Sequence, residues 1–580
     1  MLKRMQVVLA ILLMTLFVGG AAAQSAADIS RLAAYFPAET PVFASVRTDD
    51  GFIDGINALI DRLEAMTGDA IIPAGFTLMQ GFDFLINESI EGGNFDNVIR
   101  SWLGSSAAVG VLSTDALLDD AASNDNQDVL IALEITEAGT AQAFIEEVVI
   151  PSYDDDAVNS IEIMSQDTFT VTEVQLADDS YVYYAVYRDL MLIASSDATL
   201  PFDGFPTDTL ANDPTFSALV ESMPADVYNG LVYLDLPTLI ASGVQSAQGA
   251  QLRQGLDVQD DQIGALRSLI DETTPVVVGA TIQGDASLTL DIVQIPAQAI
   301  PAAESVNPDF ARYIPAGTPL VVHGRNLRGG FDAVLTSLRQ AADVTNSENF
   351  TPEQIDQSIE LARGLIQLAS NLDLDADILD WMTGDFALTL SLNEQFPDTQ
   401  AGLFAAESLP VDFALLIQAT DAAKAQRLVD GLEMFVTNAS QDETSNLTVS
   451  SESVGAVELL VVIIDTPDAP FDIVLAVGAD AEVFALGTLD SVRAAFLRDN
   501  TLADDPNYQE AAAALLPSPS QIWYFAGENL QPVADLIETT DGAENADQLR
   551  RFLTAFHSSS ISTTLLESGA VAVRAVMTLP

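Results

Sequence analysis

The sequence predicts an α+β protein made by tandem duplication of one module, each copy a largely antiparallel sheet packed by helices. Three observations predict it: short segments recur at a slowly growing offset, each copy opens on a Pro-led strand, and the later strands are joined by short turns. Ala34-Tyr35-Phe36-Pro37-Ala38-Glu39-Thr40-Pro41-Val42 returns as Arg312-Tyr313-Ile314-Pro315-Ala316-Gly317-Thr318-Pro319-Leu320, an offset of 278. Arg47, Gly51 and Asp54 fall on Arg325, Gly329 and Asp332 at the same offset. Phe95-Asp96 and Trp102 fall on Leu374-Asp375 and Trp381 at 279, and the strand 130–136 on 414–420 at 284. Thr209-Leu210-Ala211-Asn212-Asp213-Pro214 returns as Thr501-Leu502-Ala503-Asp504-Asp505-Pro506 at 292. An offset that grows along the chain is what loop insertions leave behind in a duplicated sequence.

Within the first copy, Thr40-Pro41 starts a β-branched and aromatic strand to Val46. Asp49-Asp50-Gly51 then turns into a helix with Ile53, Ile56, Ile60 and Leu63 at helical spacing. Strands follow at 168–176, 181–188 and 190–194, and Asp178-Asp179-Ser180 is too short a link for a crossover helix. In the second copy Thr351-Pro352-Glu353-Gln354 reads as a capping box with Pro at the first helical position, ahead of Ile355, Ile359, Ala362, Ile366 and Ala369 on one face. Strands are expected there at 446–453, 457–466, 471–477 and 483–486. The resulting domain plan is a leader at 1–23, a first module at 24–295, a linker at 296–309 marked by Pro296, Pro301 and Pro308, and a second module at 310–580.

The paired Pro-Ala-x-Thr-Pro openings and the Trp102-Leu103-Gly104 motif, with its counterpart Trp381-Met382-Thr383-Gly384, resemble the exported bacterial proteins grouped as domain-of-unknown-function family 3352. The resemblance covers most of the chain beyond the leader. It implies an exported, two-module bacterial protein and carries no catalytic residues with it. The second Trp motif departs from the first by one inserted residue.

The chain has 580 residues, 21 Lys+Arg against 85 Asp+Glu, a formal charge of −64 and no cysteine. Such a surface has no cationic footprint for nucleic acid or an anionic membrane. With 49% apolar residues the chain can bury a large core, so the acidity belongs to a folded surface. Lys3 and Arg4, the apolar stretch 7–18 and Ala21-Ala22-Ala23 read as a secretory signal peptide cleaved near Ala23. The expected location is periplasmic or extracellular; the alternative is a membrane tether through an uncleaved leader. No later window is apolar enough to span a bilayer. Loss of Lys3 and Arg4 leaves 19 basic groups against 85 acids, −66. Zero cysteine removes thiol nucleophiles, Cys-type zinc sites and redox switching, and a domain with a large core needs no disulfides.

Chemistry-bearing groups are sparse. Of two histidines, His323 occupies the repeat position of Ser45 and is expected on the outward polar face of a strand, and His557 at a helix C-terminus, where the dipole favours a cation. The lysines are Lys3 and Lys424; the latter is expected on the exposed side of a helix after Thr420-Asp421. Asp373-Leu374-Asp375-Ala376-Asp377 begins like a calcium loop, but Ile378 stands where Gly is needed and Gly384 where a bidentate Glu is needed, so helix capping is expected. Asp119-Asp120, Asp154-Asp155-Asp156, Asp178-Asp179 and Asp260-Asp261 read as solvated loop charges able to gather divalent cations weakly, without a dedicated site. Carboxylate-pair hydrolysis needs two acids placed by the fold, and 85 candidates give sequence no means of choosing them. The reading is therefore an acidic, exported, non-catalytic envelope or extracellular protein whose modules act as scaffold or binding surface. No catalytic, metal-binding or cofactor-binding residue is assigned, no cofactor is expected, and the partner is a protein, an envelope component or an apolar ligand. A carrier of an apolar ligand is the alternative, with a carboxylate-dependent hydrolase behind it.

Overall fold

The computed structural model describes residues 24–49, 51–53, 55, 57–58, 60, 94–114, 128–153, 157–166, 169–178, 180–197, 200, 205, 207–245, 273–282, 287–300, 304–345, 351–393, 396, 409–441, 446–465, 472–555 and 558–578. The expected leader at 1–23, Ile56, Leu63, Asp119-Asp120, Asp154-Asp155-Asp156, Asp179, Asp260-Asp261 and His557 lie outside the described residues. The chain divides into two compact units: unit 1 holds residues 1–301 with 565–573, and unit 2 holds 302–564 with 574–580.

Unit 1 is an antiparallel sheet with helices. Its strands are β1 (Val42–Arg47), β2 (Leu103–Val111), β3 (Val129–Ile135), β4 (Val158–Gln166), β5 (Phe169–Leu176), β6 (Tyr181–Tyr187), β7 (Leu190–Ala194), β8 (Gly230–Leu234), β9 (Val276–Ile282) and β10 (Leu288–Gln294). They pair in the order β10-β9-β8-β1-β2-β3-β7-β6-β5-β4. The helices α1 (Ala138–Phe144), α2 (Pro214–Glu221) and α3 (Leu236–Gln245) follow β3, precede β8 and follow β8. β1 is central and buried on both faces. Phe43 lies edge-on to Phe36 and Phe216, while Ala44 and Val46 join Phe52, Ile53, Phe95, Val109 and Ile131 in a cluster on the opposite side.

The strands of unit 2 are β11 (Leu320–Arg325), β12 (Asp385–Leu392), β13 (Val411–Gln418), β14 (Leu447–Val454), β15 (Val457–Ile464), β16 (Ile473–Ala479), β17 (Val483–Thr488), β18 (Gln521–Phe525), β19 (Ser558–Leu565) and β20 (Val571–Thr578), the end of β19 and the first three residues of β20 falling within the 565–573 segment of unit 1. Their order is β20-β19-β18-β11-β12-β13-β17-β16-β15-β14, again antiparallel wherever a register is defined. Helices α4 (Leu327–Thr345) and α5 (Pro352–Ser370) lie between β11 and β12 in sequence, and α6 (Ala422–Ser440) follows β13. After β17 come α7 (Leu489–Leu497) and α8 (Pro506–Ala513), and after β18 come α9 (Gln531–Asp541) and α10 (Ala543–Ala555). The capping box on α5 forms as the sequence predicts: Thr351 Oγ1 accepts from the Gln354 amide at 3.3 Å, and Gln354 Oε1 accepts from the Thr351 amide at 3.2 Å. The class is α+β with antiparallel sheets.

Two sequence motifs find their physical role here, because within each unit they bond to one another. In unit 1 the Leu210 amide donates to the Phe36 carbonyl at 2.8 Å beside a Pro37–Thr209 bridge; in unit 2 Leu502 donates to Ile314 at 2.8 Å beside a Pro315–Thr501 bridge. The Asp closing each Thr-Leu-Ala segment then caps a helix, Asp213 for α2 and Asp505 for α8, with Pro at the first position. The tryptophan motif is equally structural. Trp102 Nε1 donates to the Val98 carbonyl at 2.7 Å and Trp381 Nε1 to the Asp377 carbonyl at 3.1 Å, with both rings buried. The glycine ending each motif is dictated by crowding: a Cβ at Gly104 would lie 2.5 Å from Glu134 Cγ, and one at Gly384 2.6 Å from Gln418 Oε1.

Candidate functional site

A polar node lies at the start of β12. On β11, Val321 and His323 face the covered side of the sheet, so His323 is 1% exposed, a correction to the outward-facing position expected from sequence. Strand alternation fixed only that His323 differs in face from Val322 and Gly324; both faces of a central strand can be covered. His323 Nε2 sits 3.2 Å from Asp385 Oδ1, and the Phe310 ring stacks on the imidazole at 5.5 Å between centroids. Asp385 Oδ1 also accepts from the Asn307 amide at 2.6 Å, and Arg325 Nη1 lies 3.5 Å from Oδ2. Buried charge is tolerated only when paired and hydrogen-bonded, and this carboxylate has an amide, an imidazole and a guanidinium around it. Among the described residues His323 Nδ1 has no hydrogen-bond partner.

Beside the node, Asn307, Asp309, Phe310, Tyr313, Gln418 and Glu482 line a cleft of about 180 Å³. Tyr313 has the Arg312 and Arg498 guanidinium groups over its ring at 4.9 and 4.6 Å. Its hydroxyl donates to Glu482 at 2.9 Å and accepts from Arg312 at 2.7 Å, while Arg498 donates to Glu482 at 2.7 Å. The Tyr313 hydroxyl and then Arg498 hold the Glu482 carboxyl below the usual range, so it is ionised at neutral pH and unsuited to general-acid work.

In unit 1 the corresponding register positions carry different chemistry. Ser45 Oγ donates to the Ile29 carbonyl at 2.5 Å, and Glu134 accepts from the Ser105 amide and hydroxyl at 2.9 Å each and pairs with Arg31. Arg47, its side chain 1% exposed, grips Asp49 through Nε at 2.8 Å and Nη2 at 2.6 Å. A cleft of about 580 Å³ opens between Asp49, Arg100, Ser105, Glu134 and Thr136.

The other residues singled out by sequence are structural. Lys424 lies in the first turn of α6, half-buried and 3.6 Å from Asp380. Asp373 caps a π-helical turn, Leu374–Leu379, by accepting from the Ala376 amide at 2.8 Å; Asp375 pairs with Arg363 and Asp377 with Arg427, each at 3.0 Å. Among the described residues no group of three or more His, Cys, Asp or Glu is placed to hold a metal ion, and no helix is long and apolar enough to cross a membrane.

Sequence reasoning missed the feature that separates the units most. Across unit 2, Ile561, Trp523, Val322, Leu388, Leu415 and Leu486 stand in register on neighbouring strands and share one face. Helix α6 and Trp381 cover the part of that face near Ile417 and Phe484, while Leu388, Trp523 and Ile561 remain 50, 46 and 42% exposed. Next to them Leu390 is also exposed, between the half-buried Leu320 and Phe413. In unit 1 the same row reads Val278, Val232, Ala44, Val109, Ile131 and Ile193, and Ala44, Val109 and Ile131 are buried beneath Phe52, Ile53 and Phe95. The open row therefore carries the larger side chains, Val322 for Ala44, Leu388 for Val109 and Trp523 for Val232. The size increase could be read by aligning the two halves of the sequence; the exposure could not, since a run such as Ile522-Trp523-Tyr524-Phe525 reads as a strand buried on both faces.

A family model described as protein of unknown function (DUF3352) matches residues 6–579. No curated protein and no solved structure matches.

Proposed function

The chain belongs to that DUF3352 family, and from this premise we propose that it is an exported, non-catalytic binding protein in which unit 1 is a closed structural module and unit 2 presents the binding face. The carrying observation is the row Leu388, Trp523 and Ile561, large apolar side chains in register and left open to solvent. Contiguous exposed apolar surface on a folded protein marks an interaction site, whereas scattered single residues do not. The clefts support the non-catalytic part of the reading: three of their carboxylates, Glu482, Glu134 and Asp49, are engaged by tyrosine, serine and arginine partners inside the fold.

Two further parts belong to the proposal. The units descend from a tandem duplication, supported by the shared strand order and by the two motifs that dock on each other in both. Residues 1–23 act as a cleaved leader, supported by their charge and hydropathy pattern. Native protein should bind an apolar dye such as anilinonaphthalene sulfonate, and Leu388→Asp should abolish most of that signal while leaving circular dichroism unchanged. Dye binding that is absent, or indifferent to Leu388→Asp, overturns the binding-face reading. Fractionation with N-terminal sequencing checks export, and a product in the cytosol beginning at Met1 overturns it.

A further inference from the structure

We infer that the open face of unit 2 receives an amphipathic helix of a partner protein, apolar toward the sheet and basic on its outward side. This rests on the reading of that face as a binding surface and names what covers it.

Unit 1 supplies the precedent. There the equivalent row is covered by the chain itself, with Phe52 and Ile53 of the helical stretch after Asp49 and Phe95 of the helical turn Phe95–Val98 lying over Ala44, Val109 and Ile131. The same sheet position thus accepts a helical apolar surface. In unit 2 the helix that follows β11 brings Leu327 and Phe331 to the cluster around Trp381 and Ile417, and leaves Leu388, Leu390 and Trp523 open. From Ile561 to Leu388 the row crosses four strands, about 14 Å at the usual strand spacing, which a helix of about ten residues spans.

The chemistry of the face selects among occupants. The positions that share this face are Gln521, Trp523 and Phe525 on β18, Leu320, Val322 and Gly324 on β11, and Phe386, Leu388 and Leu390 on β12, of which Trp523, Leu388 and Leu390 are exposed, and none carries a charge. A small apolar ligand needs a concavity that encloses most of its surface, and a sheet face touches one side only. A second copy of the chain, or an anionic lipid surface, meets the repulsion of a protein carrying −64. A helix with lysine or arginine on its far side is drawn toward that field and completes the face with its apolar side. Trp523, aromatic and central in the row, is placed as the anchor such interfaces favour.

The full chain can be titrated with an 18-residue peptide carrying leucine at helical a, d and e positions and lysine elsewhere, and with a control of the same composition in scrambled order. Trp102 and Trp381 are buried, so a blue shift of tryptophan emission reports Trp523. The expected result is a blue shift with the amphipathic peptide, at least tenfold weaker binding of the scrambled one, and at least tenfold loss with Leu388→Asp and with the milder Leu388→Ser. Equal binding of both peptides, or binding indifferent to both variants, would reduce the effect to charge attraction and overturn the inference. If neutral phosphatidylcholine vesicles or self-association by sedimentation gives the Leu388-dependent shift instead, the helix is wrong and the binding face survives. If no probe shifts Trp523 and the dye signal is also missing, both fail.

Discussion

Ser45 and His323 hold the same place in two sheets of the same strand order, and they satisfy burial in opposite ways. The serine hydroxyl donates to the Ile29 and Ala107 carbonyls and needs no other side chain. The histidine needs Asp385, which in turn needs Arg325 and the Asn307 amide. Exchanging a neutral group that bonds to backbone for a charged network ties the position to several residues at once, so the second site is harder to alter singly than the first.

Substitutions can break this contrast. Asp385→Ala strips a partner from His323, Arg325 and the Asn307 amide together, and should destabilise unit 2 by about 3–5 kcal/mol. Ser45→Ala should cost unit 1 about 1 kcal/mol. Denaturant unfolding followed by hydrogen exchange on β1 and β11 peptides reads the two separately; equal costs would sink the contrast. Gly487→Ala comes next. Its Cβ would lie 2.1 Å from the Phe413 carbonyl oxygen, although unit 1 carries Ala194 at the matching register, so a loss of about 1–3 kcal/mol confined to unit 2 is expected. A neutral result would mean that β13 and β17 separate as freely as β3 and β7.

A smaller effect concerns pH. Because the folded Glu482 carboxyl is held below its ordinary range, its stabilisation is present above the unfolded pKa and is lost as pH falls through the folded one. Half-exposed, this group contributes at most about 1 kcal/mol. Glu482→Gln should remove that contribution at neutral pH and flatten the acid limb of unit 2's stability profile; an unchanged limb in pH-dependent melts would contradict it. The smallest differential effect is salt. With −64 spread through both units, melting temperatures of both should rise together toward about 1 M salt, where the Debye length is about 3 Å. A flat or falling trend in calorimetry would show that self-repulsion does not limit stability.

Strand positions and the α5 capping box were legible because alternation and caps are local signals: β7 occupies the predicted 190–194, and Thr351 and Gln354 bond as their spacing implies. The pairing of Pro-led openings with Thr-Leu-Ala segments was visible as repetition but not as contact, since nothing local announces a partner so distant in sequence. His323 was misplaced for a related reason: period two says which residues share a face, and only tertiary structure says which face is covered. The apolar row stayed hidden for the same cause. On α5, Ile355, Ile359, Ile366 and Ala369 of the predicted face are half-buried, but Ala362 of the same face is exposed and Leu361, Leu365 and Leu368 point to solvent, so helical periodicity also understated the exposed apolar surface.

The place of β1 and β11 at the centre of their sheets sets an order of events in folding. Val42 pairs with Leu234 and Leu320 with Phe525, so the first strand made in each unit waits for one made near its end. Until then each opening strand has an unpaired flank, and loop closure over so long a stretch is slow. Such long-range pairing is expected to make folding slow, with each unit open until its late strand is in place. Stopped-flow refolding of the full chain should show formation of β1 and β11 protection as the late phase in both units.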